Sequence, residues 1–180
     1  MKSPKNKRRE VLDSVRKVIA LEASALRELH AAVDGAYVDA VELMARCRGK
    51  IIVTGIGKSG LIAQKIAATL SSTGTPALYL HPAEGMHGDL GSVEKRDLIV
   101  AIGKSGESHE LNALLPSLKR IGSKIIAITA NPRSTLGKSA AVVLYAPVRA
   151  EACPLNLAPT TSTTVALAVG VQRMARRKAL

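Results

Sequence analysis

Two short runs in this chain place hydroxyls and glycines where an apolar strand pattern gives way to a helical one. They are Gly55-Ile56-Gly57-Lys58-Ser59-Gly60 and Gly103-Lys104-Ser105-Gly106-Glu107-Ser108. The first turn of a helix has backbone N–H groups with no intrahelical acceptor, and the helix dipole is positive there. Such a turn, edged with hydroxyls, suits an anion. A third run, Thr160-Thr161-Ser162-Thr163-Thr164, opens the last helical pattern; plain N-capping is the competing explanation for it. Together the three runs predict a grip on a phosphate-like group. The first matches GxGxxG but lacks the acidic residue expected about 20 positions on for a dinucleotide. Between its first Gly and Gly-Lys-Ser stands one residue, where a P-loop needs four. The ionisable residues near these loops are Lys58, His87, Asp89, Glu107, Glu110 and Glu151. Singly, a His or Glu of this kind is an ordinary surface or capping residue, and Glu107 in a first helical turn is favoured by the dipole alone. Only convergence on one edge would make them a site.

The elements that must position these residues follow from periodicity. Met1–Arg9 is polar and reads as frayed. Apolar residues recur at helical spacing from Val11 to Val33, and again from Val38 to Met44. Ile51–Val53, Ala77–His81, Asp97–Ile102, Lys124–Thr129 and Ala141–Tyr145 read as strands. Helical patterns run from Leu61 to Leu70, from Leu111 to Leu118, and from Thr160 to Met174. Alternating strands and helices imply right-handed crossovers and a parallel sheet. The expectation is an α/β three-layer sandwich with a five-stranded, mainly parallel sheet, in the flavodoxin-like manner. Residues 1–35 form a helical arm and residues 36–180 the domain. Ligands on such sheets bind at the carboxyl ends of the strands, where both Gly/Ser turns fall. The reading therefore requires Ser59, Ser105 and Thr163 to share one concavity.

Composition narrows the function. The hydrophobic fraction is 47% and aromatics are 2%, with no Trp or Phe, so Ala, Val, Ile and Leu must build the core. Without aromatics there is little to stack on bases. The net charge of +12 is concentrated at the ends: residues 1–17 carry seven Lys/Arg against two acids, and residues 171–180 carry four against none. Nucleic acid is therefore not the expected partner, while a mildly positive middle fits a small anion. Cys47 and Cys153 have no metal-type or disulfide-framework spacing. No apolar run follows Arg9 as in a signal peptide, and no stretch reaches membrane-spanning length. The expected location is cytoplasmic, with no membrane partner.

The order GIGKSG, STGTPALYLHPAEGMHGDLG, SGES and EACPLNLAPTTSTT resembles the SIS (sugar isomerase) domain of arabinose-5-phosphate isomerases, from about Ala36 to Met174. The resemblance implies interconversion of D-ribulose 5-phosphate and D-arabinose 5-phosphate, the supply of the Kdo sugar of lipopolysaccharide or capsule, no cofactor, and a homotetramer. It also assigns residues. Lys58, His87, Glu110 and Glu151 take catalytic or substrate-contacting positions. Ser59, Gly74, Thr75, Ser105, Ser108, Pro147, Val148 and Arg149 fall to substrate binding, and the loop reading itself adds Gly57, Gly106, Thr160 and Thr163. His81 takes a position that can hold inhibitory zinc. Two departures stand out. The usual loop reads Ser-x-Ser-Gly-Glu-Ser/Thr, and here Gly103 replaces the first Ser and Lys104 follows it. The family continues into a Ser-His-Pro-Gly-Gly segment and a CBS pair, and this sequence ends at Leu180, ahead of both.

The implied reaction moves a proton between neighbouring carbons through a cis-enediol. A carboxylate whose pKa burial has raised could act as base; Glu110 and Glu151 are both candidates, with Lys58 steadying the oxyanion. A 6-phospho-3-hexuloisomerase-like enzyme and a non-catalytic SIS sensor of sugar phosphates are the alternatives. The EACPLNLAP stretch favours the pentose enzyme.

Overall fold

The computed structural model describes residues 4–153, 155 and 157–171. Their order is α1 (Pro4–Ala32), α2 (Gly35–Ala45), β1 (Ile51–Gly55), α3 (Gly57–Ser72), β2 (Ala77–Leu80), α4 (Pro82–Met86), a 3₁₀ turn (Asp89–Ser92), β3 (Leu98–Ile102), α5 (His109–Ile121), β4 (Lys124–Thr129), α6 (Thr135–Ser139), β5 (Val142–Tyr145) and α7 (Thr161–Val171). The five strands form one sheet in the order β2-β1-β3-β4-β5. Every pairing is parallel, with Ile51 opposite both Ala77 and Leu98. The expected α/β sandwich is therefore present, and the strand order reverses between β1 and β3.

Alternation along the strands splits the core in two. Ile51, Val53, Val100, Ile126 and Ile128 face α1, α2, α3 and α7. Ile52, Ile99, Ala101, Ile125 and Ala127 face α5 and α6. Strands apolar on both faces are what a sheet covered on both sides demands. On α5, Leu111, Leu114, Leu115 and Leu118 are buried at the i, i+3, i+4, i+7 spacing of one helical face. Burying each stabilises by about 1.5–3 kcal/mol. Chain reversal after α5 falls on Gly122, the left-handed C-cap.

Two helices begin earlier than periodicity suggests. The first starts at Pro4, so residues 4–9 are helical rather than frayed. Helix α3 starts at Gly57 rather than Leu61, so the Gly-rich run is itself the first helical turn. Gly60 permits this: a Cβ there would stand 2.8 Å from both the Gly55 carbonyl oxygen and the Tyr79 hydroxyl. Helix α1 changes character along its length. Ala25 and Leu29 enter the core, whereas Val11, Leu12, Val15 and Ile19 are exposed. No described helix is long and apolar enough to cross a membrane.

Candidate active site

Five helices begin at the carboxyl edge of the sheet, and their N-termini are not alike. His81 caps α4, its Nδ1 accepting from the Ala83 N–H at 3.2 Å. Ser134 caps α6 through Gly137 N–H at 3.1 Å. The carboxylate of Glu107 accepts a further bond from Thr135 N–H at 2.9 Å. Helix α7 is capped by Glu151, whose Oε2 accepts from the N–H groups of Thr160 (2.9 Å) and Ser162 (3.1 Å). Helices α3 and α5 differ. The N-cap of α3 is Ile56, which has no side-chain acceptor, and Ser108 makes no side-chain capping bond to α5. These two flank the reversal between β1 and β3, the place where open α/β sheets take ligands. Both dipoles favour a negative charge at these ends.

The crevice at this edge is lined by Ser59, Lys104, Thr129, Val148 and Ser162, among others. Its volume is about 20 Å³, room for roughly one water. That is too small for a phosphate, which could meet only its rim. Gly106 gives the second loop its shape. Its φ is +67°, and a Cβ would run into the Ser134 side chain, so both conformation and space require glycine.

Electrostatics centre on Glu151, which is 5% exposed. Its Oε1 accepts from the Lys104 ammonium at 2.6 Å. Burial alone would raise its pKa, but the bonds from Lys104, Ser162 and Thr160 outweigh burial and lower it to about 2. The raised pKa that would make it a base is therefore not found in this arrangement. Glu107 lies ahead of α5 rather than in its first turn. Its pKa is lowered by the bond from Thr135, by Lys138 and by Asn112, against a smaller opposing effect of desolvation.

The remaining sequence-derived residues fall at four places. Gly57, Lys58, Ser59, Ser105, Ser108 and Glu110 stand on the two bare turns, and Pro147, Val148 and Arg149 leave β5 at the same edge. Arg149 Nε lies 3.0 Å from Glu28 of α1. His87 is exposed just after α4. Turned to structural use are Thr160, which holds Glu151 and Ala152, and Thr163, whose hydroxyl donates to the Thr160 carbonyl at 2.6 Å. The anion expected at the third run is the chain's own Glu151, and the hydroxyl at the crevice is Ser162, not Thr163. Ser105 lies beside the crevice, its Oγ accepting from Glu107 N–H. At the opposite edge are Gly74 and Thr75, which precede β2 where Ala77 pairs with the first residue of β1. In this chain they stand apart from the other candidates. Among the described residues no group of three His, Cys, Asp or Glu could hold a metal, and the Nδ1 of His81 is already engaged.

Sequence reasoning missed Thr129 and Ser134, and left Lys104 and Ser162 without a role inside their runs. Lys104 had a visible signal, its departure from the usual loop. Ser134 is legible only through the contact that forbids a side chain at Gly106.

A parallel α/β domain with two bare helix ends at its reversal point is the architecture of an anion-binding α/β protein. The model of the SIS domain family matches residues 43–175, and the chain belongs to that family. It is 48% identical over 161 residues to the arabinose 5-phosphate isomerase KdsD of Pseudomonas aeruginosa, covering 89% of this chain and 49% of that protein. The same figures hold for KpsF of Escherichia coli. The chain thus spans about half the length of the curated relatives it matches. An Escherichia coli CFT073 protein solved in complex with arabinose 5-phosphate superposes with a TM-score of 0.88 at 38% identity, covering 92% of this chain and 88% of that one.

Proposed function

We propose that this chain carries the sugar-phosphate site of an aldose–ketose isomerase interconverting D-ribulose 5-phosphate and D-arabinose 5-phosphate. One observation carries the reading: among the described residues, and of the helices opening on the carboxyl edge, α3 and α5 alone lack a side-chain cap, and they flank the strand reversal. The 48% identity to KdsD and KpsF supports the choice of pentose phosphate. The phosphate docks across the two turns with Ser59, Ser105 and Ser108, and its binding energy orients the reacting carbons.

Of the two candidate bases, Glu110 has the freer carboxylate. It stands exposed on the first turn of α5, while both oxygens of Glu151 are occupied. In the proposed reaction Glu110 takes the proton from C1 of the ketose as the electrons move onto the C2 carbonyl oxygen. The enediolate takes up a proton at O2 to give the cis-enediol; the C1 hydroxyl then releases its proton to solvent as C1 becomes the aldehyde, and Glu110 returns its proton to C2. Lys58, on the first turn of α3, faces the developing oxyanion.

Incubation with ribulose 5-phosphate, followed by assay for the aldose, tests the reading. The wild-type protein produces arabinose 5-phosphate, and Glu110→Gln loses turnover by about a hundredfold. No aldose from folded wild-type protein overturns the activity. An unimpaired Glu110→Gln overturns the assignment of the base.

A further inference from the structure

Lys104 sits on the loop between β3 and α5, immediately before Ser105, and is fixed at both ends. Its carbonyl oxygen accepts from Ala130 N–H at 3.0 Å and from the Thr129 hydroxyl at 3.1 Å. Its ammonium is held by Glu151 at 2.6 Å. A lysine ordinarily loses much of its rotamer freedom when its tip is immobilised. Here much of that loss precedes any ligand. The side chain is nevertheless 43% exposed. An ammonium has three donors, so those not directed at Glu151 are open to a ligand at the crevice.

The surrounding charge favours an anion. The bare end of α5 opens a few residues on, and the bare end of α3 brings Ser59 to the crevice lining, next in sequence to Lys58. All of these repel a cation and attract an anion. Glu107, the nearest acid in sequence, is turned away toward Thr135 and Asn112. Glu110, exposed on the first turn of α5, is assigned above to the reacting carbons rather than to the phosphate. Glu151 offsets the charge of Lys104 itself and also accepts from the N–H groups of α7, which leaves the helix ends and Lys58 uncompensated by it. A doubly charged ester would compensate them.

We propose that Lys104 is a direct ligand of the substrate's phosphate, with Glu151 as the positioning residue that holds it at the crevice. The assignment rests on the sugar-phosphate reading above and adds to it a cation that the hydroxyl loops alone would not supply.

Titration calorimetry with ribulose 5-phosphate and, separately, with inorganic phosphate tests it on the wild-type protein, Lys104→Met and Lys104→Arg. Lys104→Met weakens both ligands by about tenfold or more, the weight of one charge-assisted hydrogen bond. Its binding also depends less on salt. Lys104→Arg, which keeps the charge, retains most of the affinity. Footprinting of the wild-type lysines with acetic anhydride, read by mass spectrometry, gives a measure that no folding defect in a variant can imitate. Saturating inorganic phosphate protects Lys104 and leaves the exposed Lys119 unchanged. Equal affinity in Lys104→Met and wild type, or unaltered labelling of Lys104 at saturation, overturns the proposal. Lysine-dependent binding of inorganic phosphate without binding of ribulose 5-phosphate overturns the isomerase reading and leaves the role of Lys104 standing.

Discussion

The two edges of the sheet each carry a buried carboxylate paired with a lysine, and the pairs are built for different ends. At the amino edge, Asp97 accepts from the Lys50 N–H (2.9 Å), the Lys50 ammonium (2.7 Å) and the Glu94 N–H (2.8 Å). Gly49 packs so closely that a Cβ would meet the Asp97 side chain. The cluster ties the loop before β1 to the loop before β3. At the carboxyl edge, Glu151 ties Lys104 to the start of α7. The lysine side chain is 25% exposed in the first pair and 43% in the second. A closed pair holds the fold. An open pair holds a cation where something else can reach it.

The contrast can be broken at three places. Asp97→Ala leaves Lys50 and two backbone donors without their acceptor, and the loss of unfolding free energy in urea is about 3 kcal/mol. Phosphate affinity of the folded variant stays at the wild-type value, since nothing at the carboxyl edge changes. Glu151→Gln keeps an oxygen for the α7 cap and loses the ion pair, at a smaller cost of about 1–2 kcal/mol at neutral pH. That difference has a pH signature. The folded-state pKa of Glu151 is lowered, so its contribution is complete above the ordinary 4.5 and is lost as pH falls from there to about 2. Urea curves of wild type and Glu151→Gln therefore converge in acid; a gap that persists to the lowest pH would mean the carboxylate's charge is not what stabilises α7. Smallest is Arg149→Ala. Its partner Glu28 is on α1 and the arginine is 84% exposed, so stability changes by about half a kcal/mol at most. A clear loss of sugar-phosphate affinity in the same variant would assign Arg149 to the site rather than to the anchoring of α1.

Much of the fold is legible in the sequence because both faces of the sheet are covered. Runs such as Lys124–Thr129 could hardly be anything but interior strands, and the leucines of α5 mark its buried face. Helices α4 and α6 are not legible: five residues each is less than two turns, too short for a period to show. The Gly-rich turns could be located but not weighed. Whether a helix end binds a ligand or is capped from within depends on residues far along the chain. Glu151 lies 47 positions from Lys104, in a stretch with no periodicity, and its carboxylate satisfies a helix whose own threonines looked sufficient. For the same reason burial misled on its pKa: the low value comes from donors that sequence spacing does not bring together.

One detail of the packing has an optical consequence. The chain has three tyrosines and no tryptophan, so its near-ultraviolet spectrum belongs to very few chromophores. Tyr79 donates to the Gly55 carbonyl at 3.0 Å, at the point where β1 hands over to α3. Any ligand that shifts this turn alters the polarity around that phenol, and the protein thus carries a native spectroscopic reporter at the turn that leads into α3.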